Sequence, residues 1–252
     1  MLILLTNDDG ISAPGILAMY HALTALGEVH VIAPETVQSA AGHGITLATP
    51  ILTSRVTIAP GVEGTAIGGR PADCVKLAVS NLMPRRPDLV VSGINSGANV
   101  GIHVMYSGTV AAAIEGAFMG LPSVAVSLFL RDHIPTDYDR AAAWLMPVIK
   151  GLLDRGLTGG QCVNLNVPAI PVGGQHKGVK FCRQCTRPWD DEYERRLDPR
   201  GRPYFWNSSV FHLGQSEADT DVMQLREGYI TATPLQFDLT QRQTLAKWQG
   251  LP

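Results

Sequence analysis

Leu2-Ile-Leu-Leu-Thr6-Asn7-Asp8-Asp9-Gly10 decides how the rest of the chain is read. Residues 2–6 are an apolar run of strand length with no polar alternation, the pattern of a strand buried on both faces of a parallel sheet. The run stops at two adjacent carboxylates. In an open parallel α/β sheet, ligands bind in the crevice beyond the carboxyl ends of the strands, so Asp8 and Asp9 stand where a ligand should be. A helix N-cap followed by a turn is the alternative, since Asn and Asp favour both and Gly10 follows. Neighbouring ionised carboxylates repel, however, and a divalent cation is the usual way to hold them together.

Outward from this stretch, short β-branched or Leu-rich runs alternate with helical periodicity, which predicts parallel strands joined by crossover helices. Pro14 suits the first turn of a helix over residues 14–26 that Gly27 ends, and residues 29–33 read as a second strand stopped by Pro34. Strand-like segments follow at 51–58 and 65–67, a helix at 71–82, and strands at 88–92 and 123–128. Residues 93–107 read as an irregular Gly/Asn loop, 109–119 as a small-residue helix and 137–153 as an amphipathic one. The strand at 163–167 closes a Rossmann-like α/β core, a mostly parallel sheet flanked by helices. Residues 168–218 lose any clear period and predict an extended, partly exposed arm; 227–234 return to strand character and 236–250 to a closing helix. The expected organisation is one domain over 1–252, with a core at 1–167 and a C-terminal part at 168–252.

The other strand ends carry matching chemistry. The second strand leads into a loop with Ser39 and His43, and the strand at 88–92 into Gly93-Ile94-Asn95-Ser96-Gly97-Ala98-Asn99. Two carboxylates, a hydroxyl and an amide carbonyl are hard donors suited to Mg²⁺, Mn²⁺ or Ca²⁺. Taken singly, Ser39 and Asn95 also read as plain turn residues. Tyr106-Ser107-Gly108-Thr109 stands before the small-residue helix, where backbone N–H groups and two hydroxyls form an anion site or, more simply, a Ser/Thr cap. A metal site beside an anion cradle points to a phosphoryl group.

Several classes drop out. There is no Gly-Lys-Ser/Thr ending of a P-loop, no dinucleotide fingerprint at Gly10 to Gly15, and no nucleophile elbow at Ser92 or Ser96. An aspartyl-phosphate phosphatase wants two aspartates separated by one residue, which Asp8 and Asp9 are not. The chain has 252 residues, 45% hydrophobic and 17% charged, with 20 Lys+Arg against 22 Asp+Glu. That balance leaves no basic field for a stable nucleic-acid partner. The N-terminal apolar run is too short for a signal peptide, and no run reaches the roughly 18–20 residues of a membrane span, so a cytoplasmic protein with reduced cysteines is expected. Cys182-Arg-Gln-Cys185 has the spacing of half a zinc site, but Cys74 and Cys162 are isolated and supply no second half.

Read together, Leu5-Thr-Asn-Asp-Asp-Gly10 with Ala13-Pro-Gly-Ile16, Gln38-Ser39, Pro87-Asp-Leu-Val-Val-Ser-Gly-Ile-Asn-Ser-Gly97, Tyr106-Ser-Gly-Thr-Val110 and Thr231-Ala-Thr-Pro-Leu235 resemble the SurE family, stationary-phase survival proteins that are metal-dependent nucleotidases. The resemblance spans residues 1 to about 240. It implies that Asp8, Asp9, Ser39 and Asn95 ligate one divalent ion per subunit, Mg²⁺ or Mn²⁺, with Ca²⁺ able to occupy the site. It also implies that Asn99, Ser107, Gly108 and Thr109 lie near the phosphate, and that a C-terminal arm is exchanged between subunits in homodimers or homotetramers.

The expected activity is hydrolysis of nucleoside 5′-monophosphates, with 3′-monophosphates and short polyphosphate as further candidates. Asp8 or Asp9 would take the proton of the attacking water, and Asn99, Ser107 and Thr109 would stabilise the phosphoryl oxygens. A nucleotide- or metal-binding regulatory module without turnover is the alternative, because three departures fall in the substrate loops. Arg70 stands where the family carries Thr before the proline. Ala40-Ala41 replace a Gly-rich continuation, which would stiffen that loop, and His103 stands at a place usually acidic or amide.

Overall fold

The computed structural model describes residues 1–188, 192–207 and 216–249. Its strands, in chain order, are β1 (Leu2–Thr6), β2 (Glu28–Pro34), β3 (Thr53–Ala59), β4 (Val62–Ile67), β5 (Leu89–Ser96), β6 (Ser123–Leu128), β7 (Cys162–Val167), β8 (Val179–Phe181), β9 (Tyr193–Leu197), β10 (Pro203–Asn207) and β11 (Ile230–Leu235). The helices are α1 (Pro14–Leu23), α2 (Pro71–Leu77), α3 (Gly108–Phe118), α4 (Tyr138–Asp154), α5 (Asp221–Arg226) and α6 (Arg242–Trp248). Nine strands form one sheet in the order β3-β4-β2-β1-β5-β6-β7-β11-β8. The six from β4 to β7 run parallel, whereas β3 and β11 pair antiparallel to their neighbours β4 and β7.

The unbroken apolar composition of β1 follows from layers on both faces. Ile3 and Leu5 join Ile16, Met19 and Leu23 of α1 and Leu145 and Ile149 of α4 in one core, while Leu4 joins Cys74 and Val75 of α2 and Ala112 of α3 in another. Strand order grows outward from β1 in two directions, to β2 on one side and β5 on the other. The crevice between their carboxyl ends is therefore the switch point at which an open α/β sheet binds ligands.

Most elements fall where the sequence places them, and the departures have local causes. Helix α1 ends at Leu23 and the chain reaches Gly27 through turns. The helix beginning at Pro71 is α2 followed by a wide π-type turn over Ala78–Leu82. Strand β5 runs on to Ser96 instead of breaking into loop at Gly93, because its pairing with β6 resumes after a register shift between Ser92 and Asn95. Short α5 lies between the arm and the last strand, where the sequence predicts no element; it is capped by Thr220 and buries Leu225.

In the arm at 168–218, β8 extends the main sheet beside β11, and β9 and β10 form a hairpin exposed at every residue. The arm's residues 189–191 and 208–215 and the end of the closing helix at 250 lie outside the described residues. Helix α6 is shorter than expected and buries none of its residues. The arm is tied back by Asp221, a fully buried carboxylate that accepts the N–H groups of Gly101 and Cys185, both at 2.8 Å. Among the described residues, no helix is long and apolar enough to cross a membrane.

Gly15 sets how closely α1 can approach β5. A Cβ there would fall on the carbonyl oxygen of Ile94, the residue before Asn95, and lie 3.2 Å from the Tyr138 ring. Gly15→Ala is expected to cost about 1–3 kcal/mol by overpacking and to shift the Asn95 loop; an unchanged midpoint in chemical denaturation would contradict this.

Candidate active site at the carboxyl ends of β1 and β5

Beyond β1 the chain turns at Asp8 and Asp9 into a cleft of about 2010 Å³ whose wall includes both carboxylates together with Ser39, Asn95, Asn99 and Ser107. Asp8 is only 6% exposed and Asp9 half-buried. The Thr109 hydroxyl donates to Asp8 Oδ1, and the Ser96 N–H donates to Asp9 Oδ2 at 2.8 Å. Burial pushes the Asp8 carboxyl above its ordinary range; the Thr109 bond opposes this and the neighbouring Asp9 charge adds to it. Burial likewise raises Asp9 against the opposing Ser96 N–H. Two carboxylates held together at such a cost suit a cation. Asn95 donates Nδ2 to the Gly97 carbonyl at 2.7 Å, which leaves its own carbonyl oxygen as the end available to a ligand. The donor set is all oxygen and fits a hard divalent ion.

Of the residues singled out from sequence, Gly108 and Thr109 do not line the cleft; they stand behind Asp8. Thr109 is fully buried with its hydroxyl on Asp8, and a Cβ at Gly108 would come within 2.8 Å of Asp8 Cβ. Ser107 caps α3, its Oγ accepting the Val110 N–H at 3.1 Å. The helix start thus presses directly against the carboxylate pair. His103 lines the cleft with its ring edge-on to Tyr106, centroids 6.3 Å apart. Cys182 and Cys185 are unpaired thiols, and among the described residues no group of three or more His, Cys, Asp or Glu could hold a metal ion.

Ser39 is exposed, and its loop is fixed from four sides. Gln38 N–H donates to the Asp8 carbonyl at 2.7 Å and Gly42 N–H to that of Tyr106 at 3.0 Å. His43 Nε2 donates to Glu115 Oε2 at 2.8 Å while its ring stacks on Phe118, and Thr46 N–H donates to both Asp73 oxygens at 3.0 and 3.1 Å. Arg70 reaches the Ala41 carbonyl at 3.4 Å and occupies the room that Gly44 leaves. Ala40 stands in the left-handed region at φ 54°, a conformation that a glycine adopts without cost.

Asp73, Glu115 and Ser96 escaped the sequence reading. Glu115 left a signal, a lone acid in a small-residue apolar helix, and Asp73 another, an acid three residues after the helix cap, where it accepts the Arg70 N–H at 2.9 Å. Ser96 acts through its backbone and left none.

Residues 3–191 match the family model described as Survival protein SurE. The chain belongs to the SurE family. The 5′-nucleotidase SurE of Syntrophobacter fumaroxidans is 45% identical over 98% of this chain and 99% of its own length. That of Moorella thermoacetica is 47% identical, covering 95% of this chain and 92% of its own. The crystal structure of the SurE protein from Aquifex aeolicus superposes with a TM-score of 0.83 at 35% identity, over 98% of each chain.

Glu115 also accepts from Lys76 Nζ at 3.2 Å. Burial pushes its carboxyl up, but the bonds from His43 and Lys76 outweigh burial and hold it below the usual range. Because the folded-state value lies below the unfolded one, this stabilisation is full above the ordinary carboxylate range and is lost as pH falls through the folded value. Between pH 7 and pH 3, thermal denaturation of the wild type should therefore lose more stability than that of Glu115→Gln; parallel profiles would refute the role.

Proposed function

We propose that this SurE protein is a metal-dependent 5′-nucleotidase that hydrolyses nucleoside 5′-monophosphates to nucleoside and phosphate. The observation that carries it is the meeting of Asp8, Asp9, Ser39 and Asn95 on one cleft wall beside the capped start of α3. The names of the relatives from Syntrophobacter fumaroxidans and Moorella thermoacetica point the same way. Asp8, Asp9, Ser39 and Asn95 would hold one Mg²⁺ or Mn²⁺ per subunit. Such an ion supplies positive charge that polarises the phosphoryl group and acidifies water.

The chain's own residues divide the remaining work. Water attacks phosphorus in line, the bond from phosphorus to the ribose oxygen breaks, and that oxygen leaves as a hydroxyl, taking up a proton that balances the one removed from the attacking water. Asp9 is the better placed of the two carboxylates to take the proton of the attacking water. It is the more exposed, and Asp8 is engaged by Thr109. Asn99 and Ser107, on the cleft wall, stabilise charge on the equatorial oxygens. Thr109 serves by orienting Asp8, and Gly108 by allowing α3 to approach it. Residues 1–252 act as one domain, and the arm at 168–218, whose β9–β10 hairpin is exposed, joins subunits into a homodimer or homotetramer in the cytoplasm.

Phosphate release from 5′- and 3′-nucleoside monophosphates and short polyphosphate, with Mg²⁺, Mn²⁺ or chelator, tests this together with Asp9→Asn. Release should require metal, favour 5′-monophosphates, and fall about 10²-fold or more in the variant. In parallel, Mn²⁺ at a hundred times its Kd should stabilise the wild type by about 2.7 kcal/mol and leave Asp9→Asn nearly unshifted. Release that survives chelation, or full activity in Asp9→Asn, would exclude the mechanism. Nucleotide binding without any release would instead indicate a regulatory module.

A further inference from the structure

Two fully buried asparagines sit on β7, Asn164 and Asn166, in a strand whose Val163, Leu165 and Val167 are apolar core. A buried amide is unfavourable unless bonded, and leucine of similar size would fill the same space. The sheet does not need these side chains, because β7 pairs with β6 and β11 through its backbone. Their partner is elsewhere. Asn166 Oδ1 accepts the Asn99 N–H at 2.8 Å, Asn166 Nδ2 donates to the Asn99 carbonyl at 3.1 Å, and Asn164 Nδ2 donates to the same carbonyl at 2.7 Å. Asn99 in turn donates its side-chain Nδ2 to Ser127 Oγ on β6 at 2.9 Å.

Asn99 lies past the end of β5, where no strand neighbour fixes its peptide groups. Side chains from β6 and β7 replace the missing ladder, holding the residue by its N–H, its carbonyl and its amide. Just beyond it, Gly101 N–H is gripped by Asp221, and the 3₁₀ turn Gly101–Met105 then leads to Ser107. The grip is costly in one respect, since Asn164 Oδ1 is buried with no hydrogen-bond partner. A buried, unpartnered oxygen beside the Asn99 loop is a cost that the sheet itself does not require, which points to a role outside stability.

We propose that Asn164 and Asn166 are positioning residues that set Asn99 against the phosphoryl group. This rests on the assignment of Asn99 to the phosphate side of the nucleotidase site. Neither asparagine is among the residues lining the cleft, so they act only through Asn99.

Asn164→Leu separates this role from a structural one, because it removes both the unpartnered oxygen and the donor to Asn99. Tm should hold within about 2 °C or rise, and the Mn²⁺ affinity measured by calorimetry should stay within about twofold. Over the same comparison kcat/KM for a nucleoside 5′-monophosphate should fall about 10- to 100-fold, the effect of misplacing a contact by a fraction of an ångström to an ångström. A kcat/KM within twofold of wild type would overturn the proposal, as would a joint fall in Tm, Mn²⁺ affinity and rate. If Asn164→Leu does not fold, Asn164→Val is measured in the same way; failure of both would assign the amide to the fold and overturn it too.

Binding of inorganic phosphate to the Mn²⁺-loaded protein keeps the two readings apart. A wild type that binds Mn²⁺ and phosphate but releases none from any monophosphate is not a nucleotidase. In that event weaker phosphate binding by Asn164→Leu supports the positioning role, and equal binding, or no phosphate binding by the wild type, overturns it.

Discussion

The hydrogen bond from the Thr109 hydroxyl to Asp8 joins the end of the first strand to the start of α3. Everything in the candidate site depends on that closeness. It brings the amino end of a helix, with its partial positive charge, against a pair of carboxyls that burial, and for Asp8 also the Asp9 charge, raises above the ordinary range. It demands Gly108, whose missing Cβ leaves room for Asp8. It also demands a helix of small residues, Ala111, Ala112, Ala113 and Gly116, which lets α3 lie low on the sheet. A larger helix would lift its own N-terminus away from the carboxylates and pull apart the two sides of the proposed site.

Around this junction the protein places polar groups where they cost the fold most. Asp8, Asn99, Ser107, Glu115, Asn164, Asn166 and Asp221 are all buried. The apolar layers of α1, α4 and the parallel strands carry the stability that makes this tolerable, and they are complete without the polar set. Scaffold and site are thus largely separate in composition though continuous in space. Such a division accounts for a strand like β7, apolar at Val163, Leu165 and Val167 and amide-bearing at Asn164 and Asn166.

The same division explains what could be read from sequence. The parallel core was legible because each strand and helix announces itself locally, through an apolar run, a Pro at a helix start or a Gly past its end. The carboxylates were legible because they are adjacent and follow such a run, Ser39 because it too follows a strand end, and Asn95 because it follows the apolar run that opens β5. What stayed hidden acts across long stretches of chain. Glu115 meets His43 over 72 residues, Asn166 meets Asn99 over 67, and Asp221 meets Gly101 over 120. No local pattern encodes these meetings; they exist only once the sheet order is fixed. Thr109 shows the intermediate case, since its place before a helix was legible while its partner, 101 residues away, was not.

The departures in the substrate loops take on a different weight in this setting. Arg70 does not line the cleft; its guanidinium lies on the Ala41 carbonyl beside Gly44, so its bulk and charge act on the Ser39 loop and not on a ligand directly. Ala40 accepts a left-handed backbone at the point where the loop turns into the cleft, and a residue other than glycine there narrows the conformations open to the chain. Together with the bonds from Gln38, Gly42, His43 and Thr46, these two residues hold Ser39 at the edge of the carboxylate pair. If Ser39 ligates the cation as proposed, such restraint favours binding, because a donor already in place does not have to be ordered when the cation arrives. The loop's residues thus stiffen the exposed side of the proposed metal site, and none of them stands between a ligand and the carboxylate pair.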